Sequence, residues 1–433
     1  MKRLISVLSI SYAALLSISL FKFGGKAILA DFVFCVLSAV WLVGIVLKKV
    51  RFPARPVVFI AGALILANVL SFLNSVYMRG SILNFAGSIY LILIFVVFSS
   101  VISSDAGLFF KIIKTIFFAA VVVSVIGISA VLGYRLLGIM EFSPLLLLSS
   151  TRTTVVSFPR LGSTLALPEM FINFSIIGLA CTMIIWYMNK DFFKVILSMY
   201  LSIFIIIAAN MLAYSRSLAG LFLTGAVGSF LVRAKDRFYR FIVPVFCVLA
   251  AGFMFMSIAT SIWSVYPLTF DLGSGQGNAR IEFNRTPDIR AMLKDAALRI
   301  TASHPIFGIG QGMFPGNFID YIDKDKYKAT LALSSITAER PAIDPHSSYF
   351  GTLAETGIIG FGAMAALIVY LIGRSIRSFA CSDKTDIAFA HRWLFAAFIG
   401  YLLNAIYVDI FTMRFFWLAL SLLYYSEGET AHT

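Results

Sequence analysis

The 433-residue chain is 60% hydrophobic and 13% charged, with a mean hydropathy of +0.92, well above the roughly 45–50% apolar share of soluble domains. That composition excludes a soluble globular domain. The net charge of +14 would suggest nucleic acid in a soluble protein, but the excess of Lys and Arg in the cytoplasmic loops of membrane proteins accounts for it, and no nucleic-acid partner is expected.

Apolar stretches of about the 20 residues that a spanning helix needs recur from end to end, and about twelve are expected by that length. They cover residues 4–21, 27–47, 57–77, 82–102, 108–133, 168–188, 192–212, 217–232, 241–263, 348–373, 391–409 and 412–426. The expected fold class is all-α: a polytopic membrane helical bundle making one integral membrane domain over 1–433. The first stretch follows Lys2 and Arg3, yet no small-residue cleavage site separates it from the second, so it reads as a retained helix. Cys35, Cys181 and Cys247 fall inside spans and Cys381 in a short loop, which gives neither a disulfide framework nor a metal-type spacing. Basic clusters occupy every second loop: Lys2/Arg3, Lys48/Lys49/Arg51/Arg55, Lys111/Lys114, Lys190/Lys194, Arg233/Lys235/Arg237/Arg240 and Arg374/Arg377/Lys384. This pattern puts both termini in the cytoplasm.

Two loops on the opposite face, 134–167 and 264–347, are too long to be connectors alone, and long loops are where function concentrates. The larger carries nine Lys/Arg against nine Asp/Glu, a balance expected of a small folded cap. Within it, Thr286 and Pro287 form an N-cap and first-turn signal, and Ile289, Met292, Leu293, Ala296 and Ile300 recur at helical spacing. A surface helix is expected over about 287–302, with Asp295 and Arg299 paired at i,i+4, ending at His304-Pro305 because proline disfavours helix before it.

Ionisable groups at membrane depth are costly and therefore functional candidates. Arg216, in Tyr214-Ser215-Arg216-Ser217, falls where the seventh span turns into the eighth. Asp409 and Arg414 lie at the hairpin between the last two spans, where the plainer reading is an ion pair closing it. Glu355 sits about 10 Å into the tenth span at 1.5 Å per residue, as a buried carboxylate held by an arginine or as a direct participant. His346, in Asp344-Pro345-His346-Ser347-Ser348, precedes the tenth span, whose helix N-terminus disfavours imidazolium. A neutral ring is the state a general base needs, although a histidine before a helix is ordinarily a cap or a surface residue. His304 sits beside Pro305 in a turn. Arg216 and Arg290, with Arg280 and Arg152 or Arg160 as helpers, suggest an anion clamp suited to a diphosphate at the bilayer surface; the plainer alternative is snorkelling, or pairing with Asp288, Asp295 or Glu355. The glycines of His304-Pro305-Ile306-Phe307-Gly308-Ile309-Gly310-Gln311-Gly312 permit a tight turn with amides facing a ligand, but they follow no strand and open no phosphate loop.

Taken in order, these segments resemble the O-antigen ligase and polysaccharide polymerase superfamily of bacterial cell-surface glycan assembly. Tyr214-Ser215-Arg216-Ser217 is similar to its Ser-Arg motif. Arg290 through Leu298 with His304 to Gly310 looks like its arginine-helix and HPxxGxG element, and His346-Ser347-Ser348-Tyr349-Phe350 with Glu355-Thr356-Gly357 resembles its histidine-led start of the following span. The resemblance runs from about 205 to 415, while the first 150 residues agree in hydropathy alone. An aromatic residue common a turn after the loop arginine is replaced here by Leu293-Lys294, which leaves both Arg280 and Arg290 open as the family's arginine, with Arg290 favoured.

The resemblance implies a metal-independent, inverting glycosyltransferase of the inner membrane, without cofactor, that moves a glycan from undecaprenyl diphosphate to an acceptor. The acceptor would be a lipid A core or similar for a ligase, or another lipid-linked repeat unit for a polymerase. Arg216 and Arg290 would hold the diphosphate and His346 would orient or deprotonate the acceptor hydroxyl, with Arg280, Glu355, Arg152, Arg160 and His304 as substrate-binding candidates. Membrane lipids and polysaccharide-assembly proteins are the partners implied. A lipid or polysaccharide transporter is the alternative from another class, disfavoured because the charges gather at one face.

Overall fold

Backbone polar groups inside a bilayer find no water, so each apolar stretch must close its own hydrogen bonds as a helix. The computed structural model describes residues 1–19, 22–23, 27–75, 78–136, 145–147, 160–165, 167–188, 192–213, 215–232, 252, 269–271, 280–282, 289–328, 331, 343–381 and 386–425. In chain order these form α1 (Lys2–Leu15), the ribbon β1–β2 (Lys22–Phe23 with Ala27–Ile28), α2 (Leu29–Val46), α3 (Arg55–Leu70), α4 (Met78–Ser104) and α5 (Ala106–Leu136). The ribbon β3–β4 (Leu146–Leu147 with Arg160–Leu161) leads to α6 (Pro168–Met188), α7 (Phe192–Ala213) and α8 (Leu218–Val232). A third ribbon, β5–β6 (Thr269–Asp271 with Arg280–Glu282), is followed by α9 (Ile289–Ser303), the short α10 (Phe314–Asn317), α11 (Ser348–Cys381), α12 (Asp386–Asn404) and α13 (Arg414–Tyr424).

The all-helical class stands, with three minimal antiparallel ribbons added. Among the described residues seven helices, α2 to α6 with α11 and α12, are long and apolar enough to cross a membrane, against the expected twelve or so. Three more apolar helical segments, Ser198–Ala213, Leu218–Val232 and Arg414–Tyr424, are shorter, and the expected stretch 241–263 lies, but for Gly252, outside the described residues. At the end of the expected stretch 391–409 the chain departs from helix: residues 405–413 are apolar by composition yet form turns, with the Ile410 N–H donating to the Val408 carbonyl (3.1 Å) and the Met413 N–H to that of Ile410 (2.9 Å). Apolar content counts such turns as helix.

Helices α6, α8 and α12 pack through small residues, the usual means of close approach between membrane helices. A side chain at Gly220 would strike Asn404, one at Gly228 would strike Trp393, and one at Gly400 would strike Thr224 and the Gly220 backbone. Asn404 is fully buried and uses every polar atom of its amide. Its Nδ2 donates to Asn173 Oδ1 (2.8 Å) and to the Ser217 carbonyl (2.9 Å), while its Oδ1 accepts the Gly220 N–H (3.2 Å). It joins α6, α8 and α12 at one point.

A second, smaller core forms outside this bundle. Met292, Leu293, Ala296, Ala297 and Ile300 of α9 bury with Ile309, Met313, Phe314 and Phe318 against Ala354 of α11. The apolar face expected for the loop helix is therefore real, and its polar face carries Asp295–Arg299 (3.5 Å), extended by Arg299–Asp323 (3.0 Å) and Lys326–Asp295 (3.5 Å). The expected cap at Thr286-Pro287 lies outside the described residues.

Replacing Asn404 by Ala strips partners from Asn173, Ser217 and Gly220 at once, which should cost about 2 kcal/mol or more of stability. Thermal unfolding of the detergent-purified variant checks this; an unchanged midpoint would contradict a structural role for the amide.

Candidate active site

The turn from α7 to α8 carries Ser215-Arg216-Ser217. The Ser215 carbonyl accepts the Leu218 N–H and the Arg216 carbonyl accepts that of Ala219 (3.1 Å each), so Arg216 sits, partly buried, at the head of α8. Asn404 grips the next carbonyl, that of Ser217. One residue beyond Asn404, the Ala405 carbonyl accepts the Ser348 N–H (2.9 Å) and the Ser347 hydroxyl (3.1 Å). The Ser348 hydroxyl in turn accepts the amides of Ile410 (2.6 Å) and Phe411 (3.2 Å), with Asp409 Oδ1 and the Val408 carbonyl 3.2 Å away as acceptors. The Arg216 turn and the start of α11 therefore hang on the same connection.

His346 precedes this anchored pair of serines with φ of 51°. A left-handed conformation is uncommon in a residue with a side chain and persists only where the surroundings impose it. Here the buried Pro345 and the serine anchors fix both sides. The ring lines a cavity of about 310 Å³ together with Glu169, Asp344, Asp409 and Arg414. Although part of its surface opens to that cavity, the surrounding protein holds His346 below the ordinary histidine range and the Arg290 guanidinium adds to the effect, while Asp344 and Glu169 oppose it. Burial likewise pushes the Asp409 carboxyl up to about 6, with Asp344 contributing.

Arg290 belongs to the first turn of α9 and acts on His346 from that helix. One turn further, Lys294 Nζ lies over the rings of Phe350 (5.7 Å) and Tyr407 (5.2 Å), a cation–π geometry that pins α9 to the start of α11. The structure thus brings His346 and Arg290 together and ties Arg216 to them through Asn404 and residues 405–411.

Other expectations meet different outcomes. Asp409 does not pair with Arg414; the guanidinium reaches Asp31 of α2 instead, Nε to Oδ1 at 2.6 Å and Nη2 to Oδ2 at 2.7 Å, because the 408–413 turns aim Asp409 at Ser348. Tyr90 Oη (2.5 Å) and the Ile28 N–H (2.8 Å) complete the Asp31 shell. Glu355 is held by amides rather than by an arginine: its carboxylate accepts the Phe314 N–H (3.2 Å) and that of Gly312. The glycine-rich segment does not face a ligand with its amides. It lies as a strap on α11, where Gly357 interrupts the helix at φ 62°, ψ −164°. The Ile309 and Gly310 amides donate to Ala354 and Glu355 carbonyls (3.1 and 3.0 Å), and the Ile358 amide donates to the Pro305 carbonyl (2.9 Å). A side chain at Gly308 would strike the Glu355 backbone, and one at Gly357 the Ile306 backbone. His304 stands at the head of the strap, edge-on to Tyr321 with centroids 6.4 Å apart. Arg280 lies in β6 opposite Asp271, and Arg160 in β4 opposite Leu147; their side chains, and all of Arg152, lie outside the described residues.

Three participants were not foreseen. Asp31 did carry a signal, an acid inside an apolar stretch. Glu169 and Lys294 carried none, since a carboxylate in a first turn and a lysine on a surface helix are ordinary solvated residues.

Arg290→Gln removes a charge that disfavours the imidazolium and should raise the His346 pKa, whereas Glu169→Gln removes an opposing charge and should lower it. Histidine-selective NMR titration reads both; shifts of the same sign would contradict this arrangement.

A comparison with curated proteins finds no match. Residues 201–365 match the family model described as O-antigen ligase, a span that holds the Arg216 turn, α9, the strap, His346 and the break in α11 but ends before the 405–413 turns. That match supports assigning the chain to the O-antigen ligase and polysaccharide polymerase superfamily of membrane proteins.

Proposed function

We propose that the protein is a ligase-type glycosyltransferase of the bacterial inner membrane that moves a glycan from undecaprenyl diphosphate to an acceptor hydroxyl at the periplasmic face, both termini being cytoplasmic. The observation that carries this reading is His346: a histidine held in a left-handed conformation at the wall of a cavity, its imidazolium disfavoured by its surroundings, with Arg290 close enough to act on it.

In the proposed reaction the acceptor hydroxyl gives its proton to neutral His346 while its oxygen forms a bond to the anomeric carbon. The bond from that carbon to the phosphate oxygen breaks, and the electron pair leaves with the diphosphate. Arg290 and Arg216 bind phosphate oxygens and stabilise the charge that develops on the leaving group. Two guanidinium groups supply the positive charge that a divalent cation would otherwise bring, so the reaction needs no metal, and attack opposite the leaving group inverts the anomeric centre. Asp344 and Glu169 stabilise the imidazolium formed when His346 takes the proton. Arg280, Arg152 and Arg160 are assigned to the donor's glycan or phosphate ends. Glu355 and His304 act on the substrate indirectly, by fixing the strap and so the position of α9.

Reconstitution with a lipid diphosphate-linked oligosaccharide, offered either a lipid A core or a second lipid-linked unit as acceptor, tests the reading and separates ligase from polymerase. His346→Ala and Arg290→Ala should each lower transfer by at least about 100-fold, the scale of a lost acid–base or charge-stabilising group, without loss of membrane expression. Arg290→Lys should recover little, because a point charge does not reproduce the bidentate fork. Full activity in both alanine variants would defeat the assignment.

A further inference from the structure

Three separate counts put the glycine strap at one depth. A helix needs about 20 residues, at 1.5 Å each, to cross the roughly 30 Å hydrocarbon layer. From its basic end, α3 with the short turn after it covers the 20 residues Arg55–Asn74. In α4, Asn84 lies about 20 residues from Ser104, whose hydroxyl accepts the Arg51 N–H (2.9 Å). In α11, Glu355 lies about 20 residues from Arg374. The strap touches all three of these far ends. Asn74 Nδ2 donates to the Gly308 carbonyl (3.0 Å), the Gly310 N–H donates to the Glu355 carbonyl (3.0 Å), and a side chain at Gly312 would strike Asn84. The strap therefore lies where the hydrocarbon ends, on the side opposite the basic ends.

At that depth it shows apolar surface. Ile306 is 55% and Ile358 60% exposed, and the Ile306 carbonyl accepts the Ile359 N–H (3.4 Å), which joins the exposed part of the strap to α11. Ile358 in turn heads a stripe of exposed residues that continues down α11 through Gly362, Ala366, Val369 and Ile376 at the helical period, opposite the buried Met364, Leu367 and Leu371. An exposed apolar stripe on a spanning helix faces acyl chains, and Ile306 extends it onto the strap. We propose that the strap is an interfacial anchor: Pro305 and Ile306, beside Ile358, face phospholipid at the junction of acyl chains and headgroups, so that the cap rests on the bilayer through this segment. The inference needs no assumption about the reaction. It has a consequence for the site all the same, because Ser348 then stands about 10 Å beyond the hydrocarbon, at the outer edge of the headgroup layer, and carries His346 with it.

The test uses the wild-type chain in vesicles of phosphatidylethanolamine and phosphatidylglycerol that carry one of two photoactivatable phospholipids, with a diazirine either near the glycerol end of an acyl chain or near its methyl end. Adducts are mapped by mass spectrometry. The first probe should label residues 305–307 and 358–359. The second should label the region of Val369 and leave 305–307 several-fold less modified than the first does. A second measurement places a nitroxide at position 306, through Ile306→Cys in a chain whose Cys35, Cys181, Cys247 and Cys381 are replaced by Ala. The label should be more accessible to oxygen than to a water-soluble nickel chelate, at a depth between those of lipids spin-labelled at the headgroup and at mid-chain. Labelling of Val369 by the second probe with 305–307 modified by neither overturns the anchor. Nickel accessibility at position 306 as high as that of the headgroup-labelled lipid overturns it equally, and either result leaves the glycosyl-transfer reading untouched.

Discussion

The connection from Asn404 to Phe411 is the constraint on which the site depends. Eight residues, from the last of α12 towards α13, satisfy polar groups from three separate parts of the chain: Asn173 and the Ser217 carbonyl through Asn404, and Ser347 with Ser348 through Ala405, Val408, Ile410 and Phe411. Buried backbone groups must be paired, and here the pairing is what sets the distance between the Arg216 turn and His346. The same turns deliver Val408, Asp409, Thr412 and Met413 to the cavity wall. A change to any of these hydrogen bonds would move His346 and the cavity together.

The helices were legible because a bilayer leaves an apolar stretch one way to satisfy its backbone, and α9 was legible because its apolar residues recur at the helical period. Both signals are local. The partners of the charged residues were not legible, since they depend on which distant helix lies alongside. Arg414 and Asp409 are close in sequence and opposite in sign, yet Arg414 finds Asp31, 383 positions away, and Asp409 finds Ser348. Span ends were not legible for a similar reason: hydropathy does not tell helix from turn, and residues 405–413 are largely apolar without being helical. His346 and Arg290 stand out in the sequence by their order and spacing, and the structure sets them near each other, whereas Glu169 and Lys294 gain meaning only from what they face.

The strap shows how one motif can be read two ways. Glycine is needed wherever backbone must approach another group closely, whether that group is a phosphate or a second backbone. In residues 304–312 it is the second: Gly308 and Gly357 let two chain segments meet where a Cβ on either would collide, and the break in α11 exposes the amides and carbonyls that the strap pairs with. Glu355 then makes sense as a membrane-helix carboxylate that accepts amides from the end of the strap. Asn74, donating to the Gly308 carbonyl (3.0 Å), holds the strap from the α3 side. The small core around α9 is thereby fixed to the bundle rather than tethered to it, which is what allows Arg290 to hold a set position relative to His346.

In the proposed reaction His346 must be unprotonated before it acts and must tolerate a positive charge after it acts, and no single neighbour meets both demands. A cation alone would keep the ring neutral but oppose the proton transfer; carboxylates alone would ease the transfer but protonate the ring in advance. Around His346 the two are set on different elements, Arg290 on α9 against Asp344 on the preceding loop and Glu169 at the start of α6. A donor diphosphate drawn to Arg290 would partly neutralise that guanidinium as it binds. The influence of the carboxylates would then grow at the moment the acceptor hydroxyl has to lose its proton, so that seating of the donor itself would raise the basicity of the ring.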